Sequence, residues 1–146
     1  MKKMVSVMFI FLLLLVLPCW AQKPSKKSKE INLLDFKVIR NCMHNMTDIH
    51  WDEYVNYLTG KRVNWTGWIL DIKEQMWGGY KILIDMDPPG SISVQDVYIE
   101  NQPKEIVMKF HKNEKVRFSG DIKSVLKVLG SCAVTLENAE IKPAEK

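Results

Sequence analysis

Val63-Asn64-Trp65-Thr66-Gly67-Trp68-Ile69-Leu70-Asp71-Ile72 is the stretch that decides the fold. It is rich in β-branched and aromatic side chains, which suit a pleated, half-buried surface. Its glycine lies inside the run. A glycine there predicts a bulge or bend, so that one long strand turns both faces toward partly buried surroundings. Trp65 and Trp68 flank Gly67, one expected in a core and the other at its margin.

Downstream, Gly78-Gly79 marks a turn, and Tyr80, Ile82, Ile84 and Met86 alternate with Lys81, Leu83 and Asp85 as a second strand. Pro88-Pro89-Gly90 is a turn, and Ile92 to Ile99 reads as a third strand. Pro103 to Phe110 has Pro103 at the start of one or two helical turns. Val116, Phe118 and Gly120 begin a fourth strand that ends near Ile122; Cys132, Val134 and Leu136 begin a fifth that continues through Ile141.

Upstream, Trp51, Tyr54, Val55 and Leu58 recur at helical spacing after the capping residues Thr47 and Asp48, and Gly60 supplies a stop. Leu34, Val38 and Cys42 suit a short helix, while Leu34-Phe36-Val38 also alternates, so the segment from Glu30 to Asn45 stays open between the two. The order is a helix, three strands, a short helix and two strands. It predicts a mainly β protein: a five-stranded Greek-key OB-fold barrel with a short helix between strands 3 and 4, preceded by an N-terminal amphipathic helix.

Residues 1–21 have the three-part pattern of a cleavable signal peptide: Lys2-Lys3, an apolar run from Met4 to Leu17, then Pro18-Cys19-Trp20-Ala21 before Gln22. The fourteen-residue run, interrupted only by Ser6, falls short of a membrane span of ~20 residues. The expected location is periplasmic or secreted, with an uncleaved N-terminal anchor as the alternative. Residues 22–30 read as a basic flexible linker, 31–62 as a helical segment packed on the barrel, 63–142 as the OB-fold domain and 143–146 as a tail.

The formal charge of +4 is misleading. Six lysines precede Glu30, and from there to Lys146 15 basic residues face 17 acidic ones. A slightly acidic domain disfavours nucleic acid as a partner. Cys19 leaves with the signal, and Cys42 and Cys132 are then expected to pair as a disulfide in an oxidising compartment.

Val63-x-Trp65-x-Gly67-Trp68-Ile69, Gly79-Tyr80-Lys81-Ile82 and Asp85 resemble the first hairpin of anticodon-binding OB-folds. Lys115-Val116-Arg117-Phe118-Ser119-Gly120-Asp121-Ile122 and Val134-x-Leu136-x-Asn138-Ala139-x-Ile141 are similar to the closing strands of the tRNA-anti-like OB-fold family. The resemblance covers about residues 47–142. It implies a small exported bacterial protein without a known role. In the anticodon-binding relatives an arginine after the first strand meets RNA; the matching stretch here, Lys73-Glu74-Gln75, has none.

An OB-fold binds ligands on strands 2 and 3, between the loop joining strands 1 and 2 and the loop joining strands 4 and 5. Trp77, Tyr80, Lys81 and Tyr98 are therefore the candidate ligand-binding residues, with Trp77 in a glycine-rich loop able to stack on a sugar ring or a base. The second loop, Lys123 to Gly130, is unusually apolar and is expected to plug the barrel end as a short helical turn. No catalytic constellation, cofactor fingerprint or metal site is expected. His50 has Tyr54 at i+4 where a helical metal pair needs a second ligand, and Asp85, Asp87 and Asp96 lack calcium-loop spacing. The expected function is an exported non-catalytic binding module of the cell envelope, taking a protein, peptide or glycan, with single-stranded nucleic acid as the alternative.

Overall fold

The computed structural model describes residues 32–91, 95–128 and 130–145. The expected signal and lysine-rich linker lie outside the described residues. Five strands form a closed barrel in the order β1-β2-β3-β5-β4: β1 (Arg62–Glu74), β2 (Tyr80–Asp85), β3 (Val97–Gln102), β4 (Lys115–Val128) and β5 (Ser131–Pro143). The β3–β5 pairing is parallel and the other four are antiparallel. This is the OB-fold barrel expected from the strand order. Among the described residues three helices accompany it: α1 (Phe36–Asn45), α2 (Asp48–Leu58) and α3 (Lys104–Val107).

The open choice between helix and strand is resolved as helix over Phe36–Asn45. Asp35 caps α1 by accepting from the Lys37 N–H, and Phe36, Ile39 and Met43 turn inward at i, i+3 and i+7. Two aromatic side chains hold the entry to α1: Trp65 donates Nε1–H to the Leu34 carbonyl at 2.8 Å, and Tyr54 donates its hydroxyl to the Leu33 carbonyl at 2.6 Å. Trp65 meets Phe36 edge-on at 5.5 Å and Phe118 at 6.3 Å, so it links helix, β1 and β4 through one indole. The helix α2 buries Trp51, Tyr54 and Leu58 as its spacing predicts. The barrel interior is Ile69, Ile82, Ile84, Val97, Ile99, Val116, Ile122, Val134 and Leu136, all fully buried.

Gly67 acts by close approach. A Cβ there would lie 2.6 Å from Ile84 Cγ2 and 2.8 Å from the Asp85 carbonyl oxygen, so only glycine lets β1 and β2 meet. The bulge expected at Gly67 falls instead at Ile69–Asp71, where the β1–β2 register shifts. Strand β1 changes partners nearby: residues 62–68 pair with β4, and residues 68–74 pair with β2.

Three other expectations are corrected. The third strand begins at Val97 and reaches Gln102, displaced toward the C-terminus from the expected Ile92–Ile99. The apolar segment after Ile122 is no helical plug. It extends β4 to Val128, paired with β5 from Ser131, because Ser124, Val125 and Leu126 find ladder partners in Thr135, Val134 and Ala133. Cys42 and Cys132 are free thiols. The Cys42 side chain meets the Tyr54 hydroxyl, and no bond joins it to Cys132. Burial inside the barrel pushes the Cys132 thiol up to about 12, which leaves it in the unreactive protonated form. Among the described residues, no helix is long and apolar enough to cross a membrane.

Candidate functional site

The β1–β2 connection is a tight hairpin tip. The Gln75 N–H donates to the Gly79 carbonyl and the Gly78 N–H to the Gln75 carbonyl, both at 3.0 Å. Gly78 and Gly79 take φ of 93° and 76°, which side-chain-bearing residues rarely adopt. The tip is tied sideways to the end of β3: Asn101 donates its backbone N–H to Gln75 Oε1 at 2.9 Å. This leaves Met76 and Trp77 at the apex, 93% and 95% exposed. Trp77 therefore projects into solvent from an anchored turn.

The four residues singled out by sequence do not act alike. Lys81 and Tyr98 are together on the outer face, with the Lys81 Nζ over the Tyr98 ring at 5.3 Å. Tyr80, half-buried, shares the alternation of inward Ile82 and Ile84 and packs partly against the core. Trp77 stands at the tip that leads into β2.

Electrostatics on this face are mostly satisfied. Glu100 accepts from Lys81 and Lys123, each at 3.0 Å, and these hydrogen bonds hold its carboxyl below its ordinary value. Leu83, opposite Tyr98 in the ladder, is buried although it points outward. The lysines around Tyr98 thus share a carboxylate partner. This face suits stacking better than long-range attraction.

Sequence reasoning grouped Asp85, Asp87 and Asp96 but missed the partly buried junction they form with Arg40. Asp85, Asp87 and Asp96 bring carboxylate oxygens within 4.8 Å of one another. Arg40 reaches across from α1 to Asp87 at 2.9 Å and Asp96 at 2.7 Å. Burial pushes the Asp96 carboxyl up to about 6, against the Met86 N–H and the Arg40 cation, which pull it down. The arginine shares the junction with the acids, so its role is to fasten α1 to the β2–β3 connection. Sequence spacing could not reveal it, because Arg40 lies some fifty residues from its partners.

No family model matches the chain, and no curated protein matches it. Solved structures do. Two crystal forms of the mitochondrial single-stranded DNA binding protein Rim1 from S. cerevisiae match with 14% and 16% identity and TM-scores of 0.37 and 0.36. The alignments cover 58% and 59% of this chain and 97% of each Rim1 chain. A selenomethionine-labelled Rim1 crystal matches at 8% identity and a TM-score of 0.33. Likeness at this level concerns fold and carries no function across by itself. The matched proteins are named for single-stranded DNA binding, at odds with the expectation that nucleic acid is a disfavoured partner, which is therefore not kept. The envelope module taking a protein, peptide or glycan finds no counterpart among them and is not retained.

Proposed function

We propose that the barrel binds single-stranded nucleic acid on its β2–β3 side, with Trp77 and Tyr98 as stacking surfaces. The exposed Trp77 carries this reading. An indole hides much apolar area when it packs, yet this one is held out on a turn anchored at both ends. A base offers a π-face that fits such an indole whatever the sequence. Tyr98, with Lys81 over its ring, supplies a second aromatic surface on the same side.

The protein need not be an enzyme for this role. The resemblance to the tRNA-anti-like family rests on the residue matches in β4 and β5, beside the match of the β1–β2 hairpin to anticodon-binding OB-folds, and names no activity. The leader reading of residues 1–21 rests on its residue pattern alone.

Titration of a labelled oligothymidylate followed by anisotropy tests the proposal. Wild type is expected to bind at low salt. Trp77→Ala should weaken binding by about 5- to 150-fold, the range for one lost base–aromatic stack of ~1–3 kcal/mol. Equal affinities for variant and wild type would remove Trp77 from the site.

A further inference from the structure

The net charge of the chain conceals a segregation of charge. On the β2–β3 side the lysines are neutralised by Glu100. On the far side of β1 they are not. Register places Trp68 opposite Lys115, and Thr66 opposite Arg117, which is opposite Lys142 on β5. Cross-strand neighbours have Cβ atoms about 4.5–5.5 Å apart, so three cations and an indole form one contiguous outer patch. Among the described residues, Lys115, Arg117 and Lys142 have no carboxylate partner within salt-bridge distance.

The patch is shaped as well as charged. Lys115 Nζ lies over the Trp68 ring at 5.3 Å. Arg117 donates Nε–H to Asn64 Oδ1 at 3.0 Å, which orients the guanidinium and leaves its terminal nitrogens for another acceptor. A groove of about 370 Å³ runs between α1 and β1 beside Lys37, Trp68 and Lys115; the carboxylates that also line it are engaged, Asp35 by the Lys37 N–H and Asp87 by Arg40. A neighbouring depression of about 280 Å³ holds Asn64, Arg117 and Lys142. The nearby Glu140 is drawn toward Arg62 at 3.6 Å.

We propose that the outer face of β1, β4 and β5 holds the phosphodiester backbone of the same single strand whose bases stack on the β2–β3 side. This inference rests on that reading. Charge complementarity identifies the occupant: unpaired cations alongside an indole suit a strand of phosphates with stackable bases. The two faces adjoin through β1, and Trp68 stands at the changeover, paired with Asp85 of β2 and Lys115 of β4. A strand leaving the Trp77 tip has β1 as its path to the second face.

The test compares oligothymidylates of about 6 and about 20 nucleotides, spanning the site sizes of single OB-folds. Binding is measured across a salt series for wild type, Trp77→Ala and a Lys115→Ala/Arg117→Ala/Lys142→Ala triple variant. Removing three phosphate contacts should lower the log–log salt slope for the longer oligomer by about 2, at ~0.7 per contact on single strands. Affinity for it at low salt should fall at least about tenfold, and the short oligomer should bind within a factor of about two of wild type. A Lys104→Ala/Lys109→Ala/Lys112→Ala variant removes equal charge outside this face and should leave the slope unchanged. Circular dichroism checks folding, and Arg117→Ala alone, expected to lower the slope by about 0.7, replaces the triple variant if that misfolds. An unchanged slope in the folded face variant overturns the inference, as does an equal fall in the control. Polyglutamate competing as well as oligothymidylate would also overturn it, in favour of an acidic protein partner. Loss on Trp77→Ala with no slope change removes the second face only; a slope change with no effect of Trp77→Ala removes the base-stacking reading and leaves the backbone face.

Discussion

Gly67→Ala is expected to be among the most destabilising single-methyl additions in this barrel. The added Cβ would sit 2.6 Å from Ile84 Cγ2, in the fully buried interior, and 2.8 Å from the Asp85 carbonyl oxygen. A methyl can turn away, but the carbonyl belongs to backbone that pairs with Trp68, and it moves only if β1 and β2 separate. Overpacking of this kind costs about 1–3 kcal/mol, and a backbone obstacle places Gly67→Ala near the top, at about 2–3 kcal/mol. For a domain of this size that is a fall in Tm of about 8–12 °C. Urea unfolding followed by tryptophan fluorescence should show a lower midpoint with an unchanged slope. Gly60→Ala is the comparison. Its Cβ would meet nothing within 4 Å, and its penalty is only the positive φ of 77°, roughly 1–2 kcal/mol. A Gly67→Ala protein within about 0.5 kcal/mol of wild type would refute the close-approach explanation.

Other outcomes follow from the same contacts. Asp96 has a folded-state pKa of about 6 against an ordinary 3.8, so its protonation favours the fold: the stability it adds is fully present below about pH 4 and is lost as pH rises through 6. After discounting for solvent screening the effect is at most about 2 kcal/mol; the difference in Tm between wild type and Asp96→Asn should vary over this window, and parallel profiles would show that Asp96 does not titrate there. Cys42 and Cys132 should both take up alkylating reagent in urea without reductant, as read by intact mass, whereas no uptake would mean that they are bonded. Expression in a bacterial host should give a mature N-terminus at Gln22 if residues 1–21 are a cleavable leader, and retention of Met1 at the membrane would mean an anchor.

Much of the fold was legible because apolar periodicity survives folding. The alternation over Tyr80–Asp85 became β2, and the helical spacing of Trp51, Tyr54 and Leu58 became the buried stripe of α2. The errors share a cause. After Ile122 the pattern loses strict alternation, yet β5 supplies partners that turn Lys123–Val128 into strand, and no local signal announces a partner distant in the sequence. The same limit hid the Arg40 junction and the cationic face. Net charge counts Glu100 against Lys115, although Glu100 is paired with Lys81 and Lys123. Trp77 was legible as a candidate from its glycines, but its exposure was not, because that depends on the tie between Gln75 and Asn101.

The measurement that bears most directly on the proposed function is nitrogen–proton correlation spectroscopy of the folded domain titrated with a short oligothymidylate. Indole Nε1–H signals report each tryptophan separately, and Trp51 and Trp65 are buried while Trp77 is open to solvent. The expected result is a large shift of the Trp77 indole signal together with the backbone amides of Lys81 and Tyr98, with Trp51 and Trp65 unmoved. Binding that leaves the Trp77, Lys81 and Tyr98 signals in place, or no binding at low salt, would contradict a nucleic-acid site on the β2–β3 side.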